Sequence, residues 1–174
     1  MNVLFDIATS LILSNRLQFE AGEIKFLGAN VCLIPPEVYL FLYKELENRN
    51  QEKIFYETSK TSAFNWFTNL AEVMGKTDTN RLIESVPKIL NLLAYGKVDI
   101  LKKDLPNAYF EFSLRSPLFP ELYGKSSKPI DFGFAGLLAG SLSAIIKREM
   151  VCYEKECVSQ GAMYCTFVVT GRGN

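Results

Sequence analysis

The sequence predicts an α+β fold, with helices packed on an antiparallel sheet. Strand-like and helix-like segments come in runs, without regular β-α alternation. Two pairs of apolar-alternating stretches, Val98–Lys102 with Ala108–Leu114 and Met150–Val158 with Tyr164–Thr170, read as hairpins. The apolar run from Phe132 to Ile146, bounded by Asp131 and Lys147, falls short of the ~20 residues that span a bilayer and reads as a buried helix.

Taken in order, Leu4, Ile7, Ala8 and Leu11 recur at helical spacing, which predicts an amphipathic helix over residues 1–16 packed on the body or on a second subunit. Residues 17–174 are then one domain. Leu17 to Phe26 predicts two short strands turning at Ala21-Gly22, and a third strand passes through Val31 and Leu33, with Cys32 in the core. Pro35-Pro36 ends that strand, and Pro36 suits the first turn of a helix whose buried face is Val38, Phe41, Leu42 and Leu46. A longer helix follows over Lys53–Met74, with Gly75 as its stop. Ser85 is placed to cap a helix with Pro87 in its first turn, running to Gly96. In the strand after it, Ala108, Phe110, Phe112 and Leu114 share one face. The proline-rich stretch Ser116–Ser127 reads as a surface crossing or lid. The apolar helix spans about Ile130–Lys147, and the final hairpin closes on a frayed Gly171-Arg172-Gly173.

Composition narrows the chemistry. The 174 residues carry 48% hydrophobic and 22% charged side chains, ordinary for a globular domain. Lysine plus arginine and aspartate plus glutamate number 19 each, so no overall positive field gathers nucleic acid. The absence of histidine removes Ser-His-Asp and Cys-His catalysis and histidine-ligated metals together. No GxGxxG follows a predicted strand, which argues against a dinucleotide-dependent reductase. The first residues lack a basic start and a small-residue cleavage pattern, so a cytoplasmic, reducing location is expected, and disulfides are not the default there.

The cysteines cluster. Cys152, Cys157 and Cys165 fall close together, and a hairpin turning near Gln160-Gly161 sets Cys157 and Cys165 nearly opposite each other. Zinc favours thiolate sulfur and accepts carboxylate oxygen, so Glu154, Cys157 and Cys165 are chemically adequate as three ligands. The same residues also read as buried thiols beside solvated carboxylates, or as a cross-hairpin disulfide. Glu154 and Glu156, at alternate strand positions, share a face. Trp66, Phe110, Phe112, Phe132 and Phe134 supply apolar surface for a pocket or for a core. Gly136, Gly140 and Ala144 follow at intervals of four, as do Ala135, Ala139 and Ser143. These two stripes let another backbone approach, at a dimer seam, a ligand or the domain's own sheet.

The run Glu154 through Cys157 and Gly161 to Cys165, with the preceding helix bearing Gly136, Gly140, Ser143 and Ala144, resembles the 4-vinyl reductase domain family. The stretch Gly22-Glu23-Ile24 to Leu33-Ile34-Pro35 resembles that family's opening. The resemblance covers roughly residues 17–170 and is motif-specific in the C-terminal segment. It implies a fold related to TRAPP-component and haem-NO-binding-associated domains, a homodimer, and a small-molecule sensor. In the family's aromatic-sensing activators a zinc ion is held by three cysteines and one glutamate beside the ligand pocket. Carried over, the glutamate falls on Glu154 and two cysteines on Cys157 and Cys165. The third cysteine's place, before the apolar helix, is taken by Asp131, a departure that gives a site of two carboxylates and two thiolates. Cys152 falls where the phenol sensors have a pocket tyrosine and is expected in the pocket lining, with a second possibility as fourth metal ligand. The reading is thus a sensor domain with an apolar pocket, holding a small apolar or aromatic molecule beside structural zinc. A tetrapyrrole vinyl reductase or its accessory, and a thiol-based redox sensor, are the alternatives.

Overall fold

A computed structural model describes residues 14, 16–74 and 78–173. The chain divides into two compact units, Met1–Pro35 and Pro36–Asn174. In the first, β1 (Leu17–Glu20), β2 (Glu23–Phe26) and β3 (Ala29–Val31) form a three-stranded antiparallel sheet in chain order. Gly22, at φ +85°, makes the predicted first turn in a left-handed conformation that costs a glycine little. The third strand stops at Val31, so Cys32 is exposed and not in a core. The amphipathic helix expected over Leu4, Ile7, Ala8 and Leu11 lies outside the described residues.

The second unit opens with α1 (Pro36–Asn48), which starts at the predicted proline but turns a different face inward. Leu40 and Tyr43 are buried, whereas Val38, Phe41 and Leu42 are exposed. Ring packing decides this. Tyr43, fully buried, meets Phe55, Phe119 and Tyr123 edge-on and stacks on Phe132, contacts that aliphatic periodicity does not register. α2 (Lys53–Met74) has the predicted bounds and buries Ala63, Phe67 and Leu70. α3 (Thr79–Leu92) begins earlier and ends earlier than expected. Ser85 is no cap, since its hydroxyl donates to the Leu82 carbonyl at 2.6 Å, and Pro87 sits inside the helix. Leu82, Ile83, Val86, Ile89 and Leu90 bury one face there. At ~1.5–3 kcal/mol per buried aliphatic side chain they outweigh the ~3 kcal/mol of an interior proline.

The main sheet is antiparallel in the order β4-β5-β7-β6, from β4 (Lys97–Asp104), β5 (Tyr109–Arg115), β6 (Met150–Glu156) and β7 (Cys165–Gly171). Phe110, Phe112 and Leu114 are buried as the alternation predicts. The proline-rich crossing contains a short helix, α4 (Leu118–Tyr123). The chain end is tied down: the Gly171 N–H donates to the Ala108 carbonyl at 3.0 Å and the Arg172 N–H to the Glu149 carbonyl at 3.0 Å, which corrects the expected fraying.

The apolar segment is α5 (Phe132–Ile146), buried along nearly its whole length. Its stripe of small residues faces α2 of the same chain, neither the sheet nor a second subunit. A Cβ on Gly136 would fall on the Tyr56 carbonyl oxygen. One on Gly140 would fall on the Lys60 carbonyl oxygen and within 3.0 Å of Ala63 Cβ. Its other side meets the sheet, where Phe134 packs against Phe167 at 5.0 Å between ring centroids. No helix among the described residues is long and apolar enough to cross a membrane.

Candidate metal centre and adjoining cavity

The pleat alone would keep the site's residues apart. In a regular strand Glu154 and Cys157, three positions apart, point to opposite faces. β6 carries an irregularity: Glu154 pairs with Phe167 and Glu156 with the next residue, Thr166, leaving Lys155 as an extra residue. A bulge of one residue reverses the alternation beyond it. Glu156 is therefore turned away from Glu154, correcting the shared face expected of them, and its carboxylate accepts the Thr166 hydroxyl at 2.6 Å. The same reversal returns Cys157 to the face of Glu154. Cys165, two residues before Phe167, shares that face.

A ligand atom from each of Glu154, Cys157 and Cys165 lies within 4.8 Å of the others, and no other such group of three exists among the described residues. Cys157 and Cys165 are 1% and 0% exposed. Glu154 has divided tasks. Its Oε2 accepts the N–H groups of Ile130 at 3.1 Å and Asp131 at 2.9 Å, tying β6 to the start of α5. Its Oε1 is buried with no hydrogen-bond partner. Asp131 is not in the group of three: it sits at the N-cap of α5, where its Oδ1 accepts the Phe134 N–H at 3.2 Å. Cys152 is likewise outside it, although buried on the same strand.

Without a metal the corner retains protons. Burial, reinforced by the Asp131 charge, pushes Glu154 up to about 9, and burial pushes Asp131 up to about 7. The two sulfurs act as a pair: hydrogen bonding from Cys165 draws Cys157 down to about 5, while Cys165 is raised by the same bond and by burial. The pair thus holds a thiolate beside a thiol, and the Val158 N–H supports it at 3.4 Å from the Cys165 sulfur. Two soft sulfurs, one already ionised, and an unsatisfied carboxylate oxygen form a donor set suited to zinc.

A cavity of about 630 Å³ adjoins this group. Phe132, Ala135, Pro129, Tyr56, Cys152 and Tyr153 supply its wall, and Asn50, Glu52, Lys53, Lys128, Asp131 and Glu154 its polar groups. Glu154 belongs to both features. Of the aromatics singled out in the sequence, Phe132 reaches the cavity, as does Cys152. Phe110, Phe112 and Phe134 fill the core at 0–1% exposure, and Trp66 packs edge-on against Phe67; none of the four is on the cavity wall. Sequence reasoning missed Tyr56, whose hydroxyl accepts the Cys152 N–H at 3.1 Å, and the Glu52–Lys128 pair at 2.8 Å. Tyr56 stood in the helical stripe and was read only as core.

Residues 110–171, which hold β5 to β7 and every residue of the metal-ligand group, match the model of the 4-vinyl reductase domain. The chain contains a 4-vinyl reductase domain. An uncharacterised protein of Methanocaldococcus jannaschii is 34% identical over 111 residues, 64% of this chain and 66% of that protein's length. The crystal structure of a vinyl-4-reductase family protein from the same organism is 27% identical, covers 81% of this chain and 83% of that one, and superposes with a TM-score of 0.56. The phenol-responsive sensory domain of the transcription activator PoxR superposes with a TM-score of 0.81 over 98% of this chain and 91% of its own, at 19% identity. A trafficking protein particle complex subunit 3 from Naegleria fowleri reaches 0.53 over 79% of this chain and 95% of its own, at 10% identity. The α+β fold expected from the sequence, shared by 4-vinyl reductase and TRAPP-like domains, is therefore the fold observed.

Proposed function

We propose that this domain is a small-molecule sensor in which the cavity beside Glu154 takes a small apolar or aromatic ligand and a structural zinc holds the adjoining corner. The observation that carries the reading is Glu154 itself, which borders the cavity, stands in the metal-ligand group and ties β6 to the start of α5. Glu154, Cys157 and Cys165 would hold the ion, with Asp131 as fourth ligand through its second carboxylate oxygen. Four protein ligands leave no open position for a metal-bound water, so the ion's contribution is structural. A ligand pressing on Glu154 then acts on the helix–sheet junction, which gives binding a route to the rest of the domain. The phenol-responsive domain with the same fold supports a small aromatic ligand. The exposed row Val38, Phe41 and Leu42 supports a homodimer, and four free cysteines support a cytoplasmic location. A thiol-redox reading rests on the adjacency of Cys157 and Cys165. Alkylation and mass spectrometry separate it, because a switch would lose labelling under mild peroxide even when zinc-loaded.

The test is a thermal-shift panel of phenols and alkylbenzenes on zinc-loaded protein, alongside Cys152→Phe, which places a ring in the cavity. The reading expects at least one compound to raise Tm in the parent protein and none in the variant. Equal shifts in both would overturn it.

A further inference from the structure

The cavity's polar end departs from what a purely apolar ligand needs. Lys128 Nζ, on the loop before α5, lies 3.1 Å from a Glu47 oxygen and 2.8 Å from Glu52 Oε1, so one ammonium serves two carboxylates. The Tyr123 hydroxyl donates to the other Glu47 oxygen at 2.8 Å, which completes Glu47. Glu52 is left incomplete: its Oε2 is buried with no hydrogen-bond partner, and Glu52 and Lys128 both line the cavity. Tyr43 also lacks a partner for its buried hydroxyl, and its ring stacks on Phe132, a cavity wall. Lys53 lines the cavity too, but it is exposed, where water screens its charge. A buried carboxylate oxygen without a donor is costly, and the cluster around Lys128 is one positive charge short of its two carboxylates. Glu154 faces the metal group and is set aside here.

We infer that the ligand of this cavity is a small aromatic or alkyl amine, whose protonated nitrogen donates to Glu52 Oε2 while its apolar body lies along Phe132, Ala135 and Cys152. The inference rests on the sensor reading and adds the charge of the head group. An ammonium supplies both the missing donor and the missing charge. A phenol or alcohol supplies the donor alone, and a carboxylic acid would set a third anion against Glu47 and Glu52. Hydrogen bonds to charged groups are worth roughly twice neutral ones, so the head group should dominate discrimination among ligands of one body.

The experiment titrates the zinc-loaded full chain calorimetrically with phenethylamine, 2-phenylethanol and 3-phenylpropionate, which share a phenylalkyl body. Phenethylamine is expected to bind about tenfold or more tighter than the alcohol, with the carboxylate weakest. Glu52→Gln keeps an oxygen for Lys128 and should cut the amine's affinity about tenfold while leaving the alcohol within about twofold. Lys128→Gln, which removes the resident cation, should raise the amine's affinity. Alcohol or carboxylate binding as tightly as the amine overturns the head-group inference and leaves the cavity reading standing. No binding by any of the three overturns both. An unchanged amine affinity in a Glu52→Gln protein with parental circular dichroism also overturns the inference.

Discussion

Helix α5 makes two junctions of opposite kind. Along its middle, Gly136 and Gly140 bring its backbone against the Tyr56 and Lys60 carbonyls of α2, and shape alone closes the seam. At its start, Ile130 and Asp131 meet Glu154, Cys157 and Cys165 in a buried corner that holds a raised carboxyl, a thiolate beside a thiol, and an oxygen with no partner. The seam is complete as it stands. The corner is not, since buried polar groups left unsatisfied cost ~1–3 kcal/mol each. A fold that tolerates the second while perfecting the first has a use for what completes it, and the difference locates function at the corner and stability at the seam.

Substitutions can break that contrast, and the seam should give the largest effect. Gly140→Leu drives a side chain into the α2 backbone, where no flexible neighbour can yield. We expect a loss of more than ~3 kcal/mol, read as failure to give a cooperative thermal transition. A folded variant with parental Tm would show that the two helices do not pack at this distance. At the corner, Cys157→Ser should lose zinc and the stability it brings, about 3 kcal/mol when free zinc exceeds its dissociation constant a few hundredfold. Urea melts with and without zinc measure this, and the serine variant should show no difference between them.

pH sharpens the comparison. Glu154 is raised from 4.5 to about 9, so in metal-free protein its proton favours the fold fully below pH 4.5, and this contribution is lost as pH rises through about 9. The opposite shift of Cys157, from 9.0 to about 5, contributes stability that is present above 9 and lost as pH falls through 5, offsetting part of the slope. Zinc must displace the Glu154 proton and the one shared by the sulfurs, so its affinity should climb from pH 6 to 8, by about tenfold per unit for each proton released. A zinc affinity flat over that range would contradict the corner's assignment. The smallest effect belongs to Asp131→Asn, which keeps an oxygen to cap α5 but loses the anionic ligand. Metal-free Tm should stay the same while zinc binds roughly tenfold more weakly, about 1.4 kcal/mol by competition titration.

Much of this was legible in the residues. Alternation marked β5, the apolar run marked α5, and the spacing of Glu154, Cys157 and Cys165 marked their convergence, because local pattern determines such elements. What the sequence hid depended on tertiary partners. The inward face of α1 turns on Tyr43 entering a ring cluster drawn from other segments of the chain. The start of α3 turns on a buried stripe strong enough to retain Pro87. The geometry of the site turns on the Lys155 bulge, an irregularity that no residue type announces, and Asp131 turned out to be occupied in capping. Phe110, Phe112 and Phe134 show the limit from the other side, since an aromatic at strand or helix spacing fits a core or a pocket equally until the packing is known.

The most direct test of the corner as a metal centre is elemental analysis of chelator-free protein paired with its melting curve. The account predicts about one zinc per chain and a Tm that falls on adding a strong chelator and recovers when zinc is restored. Protein that carries no metal even after refolding with zinc, and that melts identically with and without chelator, would contradict it and leave Cys157 and Cys165 as ordinary buried thiols.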